Sequence, residues 1–370
     1  MIQQILVISS LNSIAPANYL IDAFRNLGIE VIAISDVENI RANHLVIGVF
    51  DVQEYVVTNN LQPDLLLFVE GGEMGIFPVN FSNLSCPKYW WGIDTHNDYL
   101  KHLRISRLFD HTFLAQKSFV DSLLGDGIKS VSWLPLAYGG PKTESKVRNF
   151  DIAYAGSTNW NVYPERKEYL SAIETYFPNT FIGNCNPSEL FNLYMNSKIV
   201  FNFSPMNDLN MRFFEALGAG ALLITNKVSQ NGVEDIFTEG KEFVEYQGIE
   251  DIIQKITHLL SNQVLLEEIA TAGKANVLEH HTYINRAESI LTIERPKVVG
   301  IANSLDVSGV LMSLGLVSGA LQQFLEALNQ CLRGRRNLAL LAILRVFFKQ
   351  AIFIAKLIEF IATRMRKPKW

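Results

Sequence analysis

Ile199-Val200-Phe201-Asn202-Phe203-Ser204-Pro205-Met206-Asn207-Asp208-Leu209-Asn210-Met211-Arg212-Phe213-Phe214-Glu215-Ala216-Leu217-Gly218-Ala219-Gly220-Ala221-Leu222-Leu223-Ile224-Thr225-Asn226 is the stretch that decides the fold. An apolar run at 199–203 leads into a polar loop, then a helical spacing over 211–218 that stops at Gly218 and Gly220, then a second apolar run at 221–225. Runs apolar throughout suit strands covered on both faces, and a short helix between them makes the strands parallel. The helix start offers free backbone N–H groups and a positive dipole end, which favour an anion such as a diphosphate. Arg212 near that end can add a fixed bidentate charge. Glu215, one turn in among Phe213, Phe214, Ala216 and Leu217, is a carboxylate that would be costly to bury without a partner. It can accept from two vicinal hydroxyls, as a ribose presents.

Outward from this stretch the same alternation repeats. Strand-like runs at 5–8, 31–34, 65–69, 89–91, 112–115 and 131–134 alternate with helical spacing such as 17–27 and 117–124. Residues 138–149, with Gly139, Gly140, Pro141 and then charges, have no apolar period and read as a linker. The pattern restarts with strands at 152–155, 180–182, 199–203, 221–225 and 242–246 and helices at 164–176, 187–195, 211–218, 249–260 and 264–279. The expectation is an α/β chain of two doubly wound halves facing a cleft, divided as 1–137, a linker at 138–149, 150–296, and a helical tail at 297–370. Ligands of such sheets sit beyond the carboxyl ends of the strands, so functional residues should follow strands.

The chain has 370 residues, 48% hydrophobic and 19% charged, which excludes a disordered or low-complexity protein. Its net charge of −5 is uneven: residues 321–370 hold ten Lys and Arg against two Asp and Glu, and the rest is acidic. Three separated cysteines, Cys86, Cys185 and Cys331, make neither a disulfide framework nor a zinc cluster. The N-terminus lacks a positive region and a long apolar run, so it reads as a first strand in a cytoplasmic protein.

Asp94 and His96 follow the Trp90-Trp91 run, and a carboxylate and an imidazole two residues apart can position a hydroxyl or take its proton. The competing reading is that Asp94 caps a helix opening behind it. Glu70-Gly71-Gly72-Glu73 also ends a strand, where glycines allow a ligand close to the backbone or simply make a turn. Arg166 and Lys167 fit a solvated helix face as well as a phosphate contact. His280 and His281 are adjacent and point apart on a helix; with no H-E-x-x-H or Asp-x-Asp run, no metal site is expected.

The Asn210-Met211-Arg212-Phe213-Phe214-Glu215-Ala216 run resembles the nucleotide-sugar site of GT-B-fold glycosyltransferases of the group 1 type (family 4-like), in the branch related to spore-maturation glycosyltransferases. Further segments match in the same order. Ile152-Ala153-Tyr154-Ala155-Gly156-Ser157 with Glu165-Arg166-Lys167 resembles a phosphate-holding strand, glycine turn and basic pair. Residues 190–198 resemble the helix before the core strand; residues 232–240, His281-Thr282-Tyr283 and Asn285-Arg286 resemble closing elements. Trp91-Gly92-Ile93-Asp94-Thr95-His96 and residues 110–117 resemble the first half of the same branch. The resemblance covers roughly residues 60 to 293, and its order is more specific than any single motif.

That resemblance implies two Rossmann-like domains and transfer of a sugar from a nucleoside-diphosphate donor to a carbohydrate, lipid-linked or protein hydroxyl, retaining and independent of metal, with no cofactor beyond the substrate and no nucleic-acid partner. Gly156, Ser157, Arg166, Asp208, Asn210, Arg212 and Glu215 would bind the donor, and Asp94 and His96 would serve catalysis. Many relatives carry a Glu where Asn207 stands, and Asn207 or Asp208 next to it would take over its contact to the donor sugar. A sugar-nucleotide epimerase of the same fold and a non-catalytic binding partner are the alternatives.

Residues 307–325 are uncharged, long enough for a membrane span but rich in Ser and Gly, with a Gly315-x-x-x-Gly319 packing motif. Residues 338–370 put a basic stripe on a broad apolar helix, which suits the anionic inner face of a membrane. A helical hairpin packed on the body or on a second subunit explains the same pattern.

Overall fold

The computed structural model describes residues 2–72, 74–142, 147–157, 164–294 and Leu311. The readings of residues 307–325 and 338–370 therefore lie outside the described residues, Leu311 excepted. Among the described residues no helix is long and apolar enough to cross a membrane.

The first half runs β1 (Gln4–Ile8), α1 (Pro16–Asn26), β2 (Glu30–Ser35), β3 (His44–Leu45), β4 (Gly48–Asp51), α2 (Val52–Thr58), β5 (Leu65–Val69), β6 (Ile76–Val79), β7 (Lys88–Gly92), α3 (Tyr99–Ser106), β8 (His111–Leu114), α4 (Val120–Gly125) and β9 (Val131–Trp133). The second runs β10 (Phe150–Ala155), α5 (Pro164–Tyr176), β11 (Thr180–Gly183), α6 (Pro187–Met195), β12 (Ser197–Asn202), α7 (Met211–Ala219), β13 (Leu222–Asn226), α8 (Val233–Ile236), β14 (Val244–Tyr246), α9 (Gly248–Ser261), α10 (Gln263–His280) and α11 (Tyr283–Thr292). The two main sheets have the orders β3-β2-β1-β5-β7-β8-β9 and β11-β10-β12-β13-β14, and all their pairings are parallel. Both are doubly wound, as the alternation implies. β4 and β6 form a separate parallel pair.

Burial explains the strands. Every residue of β5, Leu-Leu-Leu-Phe-Val, is buried, because one face packs on α1 and the other on a cluster of Phe68, Phe77, Trp90 and Phe109. Leu311 is fully buried in that second cluster. The expected strand at 242–246 shortens to Val244–Tyr246, since the Glu242 carboxylate turns back to accept from the Thr238 amide at 2.6 Å and the Asn276 amide at 3.0 Å. The expected helix at 117–124 splits into a 3₁₀ turn, Lys117–Phe119, and α4.

The connection between the halves is anchored at both ends. Tyr138 is buried and bridges to Thr282, and the Arg148 guanidinium donates to the carbonyls of Ser197 and Gly220 at 2.7 and 2.6 Å. After α10 the chain returns to the first half, where α11 packs on α1 and Tyr283 stacks on Tyr19 at 5.2 Å. Arg286 of α11 pins this crossing: it donates to the carbonyls of Pro135 (2.7 Å) and Leu136 (3.1 Å), and its side chain is buried over Phe214. Replacing it by an unbranched apolar side chain would leave those carbonyls buried and unpaired. We expect Arg286→Met to lower unfolding free energy by about 3 kcal/mol, read by urea titration; a loss within experimental error would show that the crossing does not depend on it.

Candidate functional site

The site lies beyond the carboxyl ends of the strands of both sheets. From the first half, β7 ends at Gly92 and the chain turns through Ile93, Asp94, Thr95 and His96. Helix α3 is capped not by Asp94 but by Asp98, whose side chain accepts from the Lys101 amide at 3.0 Å. The Asp94 carboxylate is thereby left for other work. Glu70 holds this turn from below, accepting from the Ile93 and Asp94 amides at 2.6 and 2.9 Å. Glu70-Gly71-Gly72 is thus a support for the turn, and Gly71 is required because a β-carbon there would run into the Ser10 backbone. Glu73 lies outside the described residues.

From the second half, the loop after β12 brings Asp208 up to the first. Met206 and Asn207 both take the left-handed backbone conformation, φ 56° each, and both are exposed. Asp208, not Asn207, is the residue turned inward: its Oδ1 accepts from the Gln116 side-chain amide at 3.0 Å. Gln116 in turn accepts from the Thr95 amide at 3.2 Å, so one side chain bridges the Asp94 turn and the Asp208 loop. The ion pair Lys117–Asp235 and the hydrogen bond from Ser118 to Asn231, both 2.7 Å, close the same side.

Burial raises the pKa of Asp94 above the usual aspartate value, and the charges of Glu70 and Asp208 raise it further against the pull of His96 and His102. Asp208 is also raised by burial, although Gln116 and His96 oppose it. Nδ1 of His96 is buried without a hydrogen-bond partner. Two carboxyls and an imidazole from opposite halves therefore share one desolvated space, an arrangement suited to holding and moving a proton.

Behind them lies the loop-to-α7 region. Asn210 is the α7 cap residue, but its side-chain amide donates to Asn202 Oδ1 (3.2 Å) and Ser204 Oγ (3.1 Å) and not to the helix, while its Oδ1 is buried without a donor. Arg212 donates to Asn202 Oδ1 and the Ala155 carbonyl, both at 2.8 Å, and lies 4.8 Å over the Tyr154 ring. Its amino group occupies the space where a β-carbon of Gly156 would lie, which is why β10 must be followed by glycine. Ser157 is exposed, and its carbonyl accepts from Arg166, which also donates to the Tyr154 hydroxyl at 3.0 Å. Arg166 is thus tied to the glycine turn, whereas Lys167 faces solvent.

Glu215 is buried on α7. Burial raises its pKa to about 7, only partly offset by the Arg212 charge. Tyr19, Tyr138 and Tyr283 stand around it; burial and then the Glu215 charge raise the pKa of each. Arg212 and Glu215 feel each other's charge without forming an ion pair. The sequence reading assigned no role to Gln116, which follows β8, or to Asn202, the last residue of β12, and it read Glu70 as part of a ligand-approach or turn segment, whereas the structure makes it the support of the Asp94 turn. His281 is buried, with a pKa brought down to about 3 by burial and by Arg286, and its ring lies by Arg286. Among the described residues no three His, Cys, Asp or Glu side chains are grouped to hold a metal ion.

The family model described as "Glycosyl transferase-like" matches residues 142–292. No protein of curated function matches the sequence. Among solved structures, the Anabaena protein HepE, in complex with UDP-glucose, superposes with a TM-score of 0.55 at 11% identity, covering 78% of this chain and 100% of that one. Sucrose-phosphate synthase from Thermosynechococcus elongatus gives 0.52 at 9% identity, covering 79% and 98%. A glycosyltransferase from Rickettsia africae gives 0.51 at 12%, covering 79% and 97%. The architecture is the GT-B fold: two parallel, doubly wound sheets facing each other.

The raised Glu215 pKa has a measurable consequence. Between the ordinary carboxylate value of 4.5 and about 7 the folded chain keeps a proton that the unfolded chain releases, so this group's contribution is full below 4.5 and is lost as pH rises through 7. We expect Glu215→Gln to flatten that part of the stability profile, gaining on the wild type between pH 5 and pH 8 in paired urea titrations. A constant difference across that range would mean that Glu215 titrates normally.

Proposed function

We propose that this chain is a glycosyltransferase that moves a sugar from a nucleoside diphosphate to a hydroxyl, with the donor on the second half and the acceptor approaching from the first. The observation that carries this reading is the meeting of Asp94 and His96 with Asp208 across the cleft, in front of the α7 start. The family match over residues 142–292 supports it, since that span contains every proposed donor residue. HepE, a protein of this fold, is seen with UDP-glucose. The order of motifs supports placement in the spore-maturation branch.

In the reaction, the bond from the anomeric carbon to the diphosphate oxygen breaks with its electron pair leaving on the diphosphate. A new bond forms to the acceptor oxygen, whose proton passes to a base. Developing charge on the leaving group is met by the α7 amides, by Arg212 beside Gly156, and by the Ser157 turn with Arg166. Glu215 takes the ribose hydroxyls: among the described residues its carboxylate has no hydrogen-bond partner to displace. Asp208, with Asn210 behind it, faces the sugar, and Asp94 with His96 orients the acceptor and receives its proton. We read the transfer as retaining and as independent of metal, with the backbone amides of the α7 start and the Arg212 and Arg166 guanidinium groups as the charge-compensating set. A carbohydrate, lipid-linked or protein hydroxyl fits this acceptor side, and cytoplasmic placement with contact to an anionic membrane through residues 338–370 is proposed from the sequence alone.

A second reading draws on the same acids. Two buried carboxyls with raised pKa beside the sugar position are also what a sugar-nucleotide epimerase requires. Incubation with a panel of UDP- and GDP-sugars separates the two: transfer releases nucleoside diphosphate, whereas epimerisation interconverts sugars. We expect release, and Asp94→Asn to lower turnover by about 100-fold or more with donor affinity retained. Arg212→Lys, which keeps the charge but not the two-pronged contact, should weaken UDP or GDP binding by about tenfold in calorimetry. Wild-type turnover in the first variant and wild-type affinity in the second would remove the site.

A further inference from the structure

Glu70 is an anion built into the floor of the cleft. It is 2% exposed, at the end of β5, and its own amide continues the ladder by donating to the Trp91 carbonyl at 3.0 Å. Oε2 accepts from the Ile93 and Asp94 amides; Oε1 faces His102 Nε2 at 3.2 Å and Lys101 Nζ at 3.7 Å. His102 reaches on to Thr95 Oγ1 at 3.0 Å through its other nitrogen, and a β-carbon on Gly92 would strike that ring. The turn Ile93–His96 is therefore held at three successive residues by one carboxylate and its histidine.

We propose that Glu70 is a positioning residue for Asp94: it fixes the turn that carries the Asp94 carboxylate and sets a negative charge beneath it. The inference rests on the role given to Asp94 in the proposed transfer. Accepting two backbone amides does not by itself need a buried charge, because a neutral side chain can do it without the desolvation cost. The charge is nevertheless kept: burial opposes it, but the hydrogen bond and charge of His102 and the two amides outweigh burial and bring the Glu70 pKa down to about 2. At any working pH Asp94 thus sits over a fixed anion. The groups that face it are Glu70 from β5, His96 from its own turn, Asp208 from the second half and His102 from α3, with Lys101 of α3 on the far side of Glu70. Of the two anions, Glu70 has the larger effect on Asp94, ahead of Asp208. A base that receives an acceptor proton works best when its pKa approaches the working pH, and like charge next to it moves a carboxylate that way.

The test follows the Asp94 carboxyl directly, by carbon-13 NMR of the full chain labelled at aspartate, with the resonance assigned from Asp94→Asn. Glu70→Gln keeps the shape and removes the charge; we expect the Asp94 midpoint to fall by about one pH unit. His102→Gln removes an imidazole whose effect on Asp94 opposes that of Glu70 and should move the midpoint the other way. In turnover with the donor found in the panel, the acid limb of the pH profile should shift with the NMR midpoint in Glu70→Gln, with donor KM within about twofold and kcat lower by about tenfold. An unmoved midpoint in folded Glu70→Gln overturns the proposal. If Glu70→Gln does not fold, an unmoved or lowered midpoint in His102→Gln does so. Midpoints that move as stated in a chain that turns over no nucleotide sugar would uphold the role of Glu70 and sink the transferase reading instead, so the two fail separately.

Discussion

The guanidinium of Arg212 ties the ends of two neighbouring parallel strands to the helix that starts above them. It holds Asn202, the last residue of β12, and the carbonyl of Ala155, the last residue of β10, while its own backbone belongs to the first turn of α7. Three elements on the second half's side of the cleft are thus fixed by one planar fork, a geometry that a lysine ammonium cannot reproduce. Gly156 follows from it, because the amino group fills the room a β-carbon would need. So does the placement of Tyr154, whose ring lies under the guanidinium and whose hydroxyl receives Arg166. The glycine turn and the basic residue of α5, read separately in the sequence, are parts of one arrangement.

How far the sequence could be read depended on whether a feature was local. Helices α5 and α6 fall at Pro164–Tyr176 and Pro187–Met195, the bounds the sequence suggests, because Pro is preorganised for the first helical turn. The strands buried on both faces are equally plain. β3 is two residues long and exposed, and β6 contains Pro78 and pairs only with β4, so neither carries an apolar alternation that reaches beyond its neighbours. Helices α2 and α3 are short and are capped at their starts by the side chains of Asp51 and Asp98, a kind of signal easily assigned to the wrong aspartate. In the site, Arg212, Glu215 and Gly156 stand out by residue type and spacing. Gln116 acts through Asp208, 92 residues away in the chain, and Glu70, although its place at a strand end is plain in the sequence, acts through amides 23 and 24 residues on, so neither role can be read locally.

The contacts between the halves differ in kind on the two sides of the cleft. On the site side they are polar: Gln116 to Asp208, Ser118 to Asn231, and Lys117 to Asp235, the last with both side chains more than 40% exposed. Contacts of that sort contribute little, because water replaces each partner at small cost. On the other side, Tyr19, Tyr138 and Tyr283 interlock around the chain crossing and Arg286 is buried with its carbonyls paired. Opening there would expose aromatic surface and strand buried polar groups, which is far more costly. The cheap separation is rotation about the tyrosine side, and that movement parts Asp94 from Asp208.

Such a hinge joins closure to protonation. With the halves together, burial disfavours ionisation of both Asp94 and Asp208, and the Asp208 charge adds to this at Asp94; with them apart, water reaches both and the penalty relaxes. Two ionised carboxylates therefore oppose closure, and a proton or a ligand hydroxyl between them favours it. Glu70 and the Asp94 turn belong to the same half and are bonded to each other, so parting the halves leaves that contact in place. Glu70 keeps a constant charge under one of the two acids, so the pair is never symmetrical: Asp94 holds a proton more strongly than its own surroundings alone would dictate. In the proposed transfer, an acceptor hydroxyl entering between the halves would then meet the same acid in the same place at every closure, which is what directional proton transfer requires.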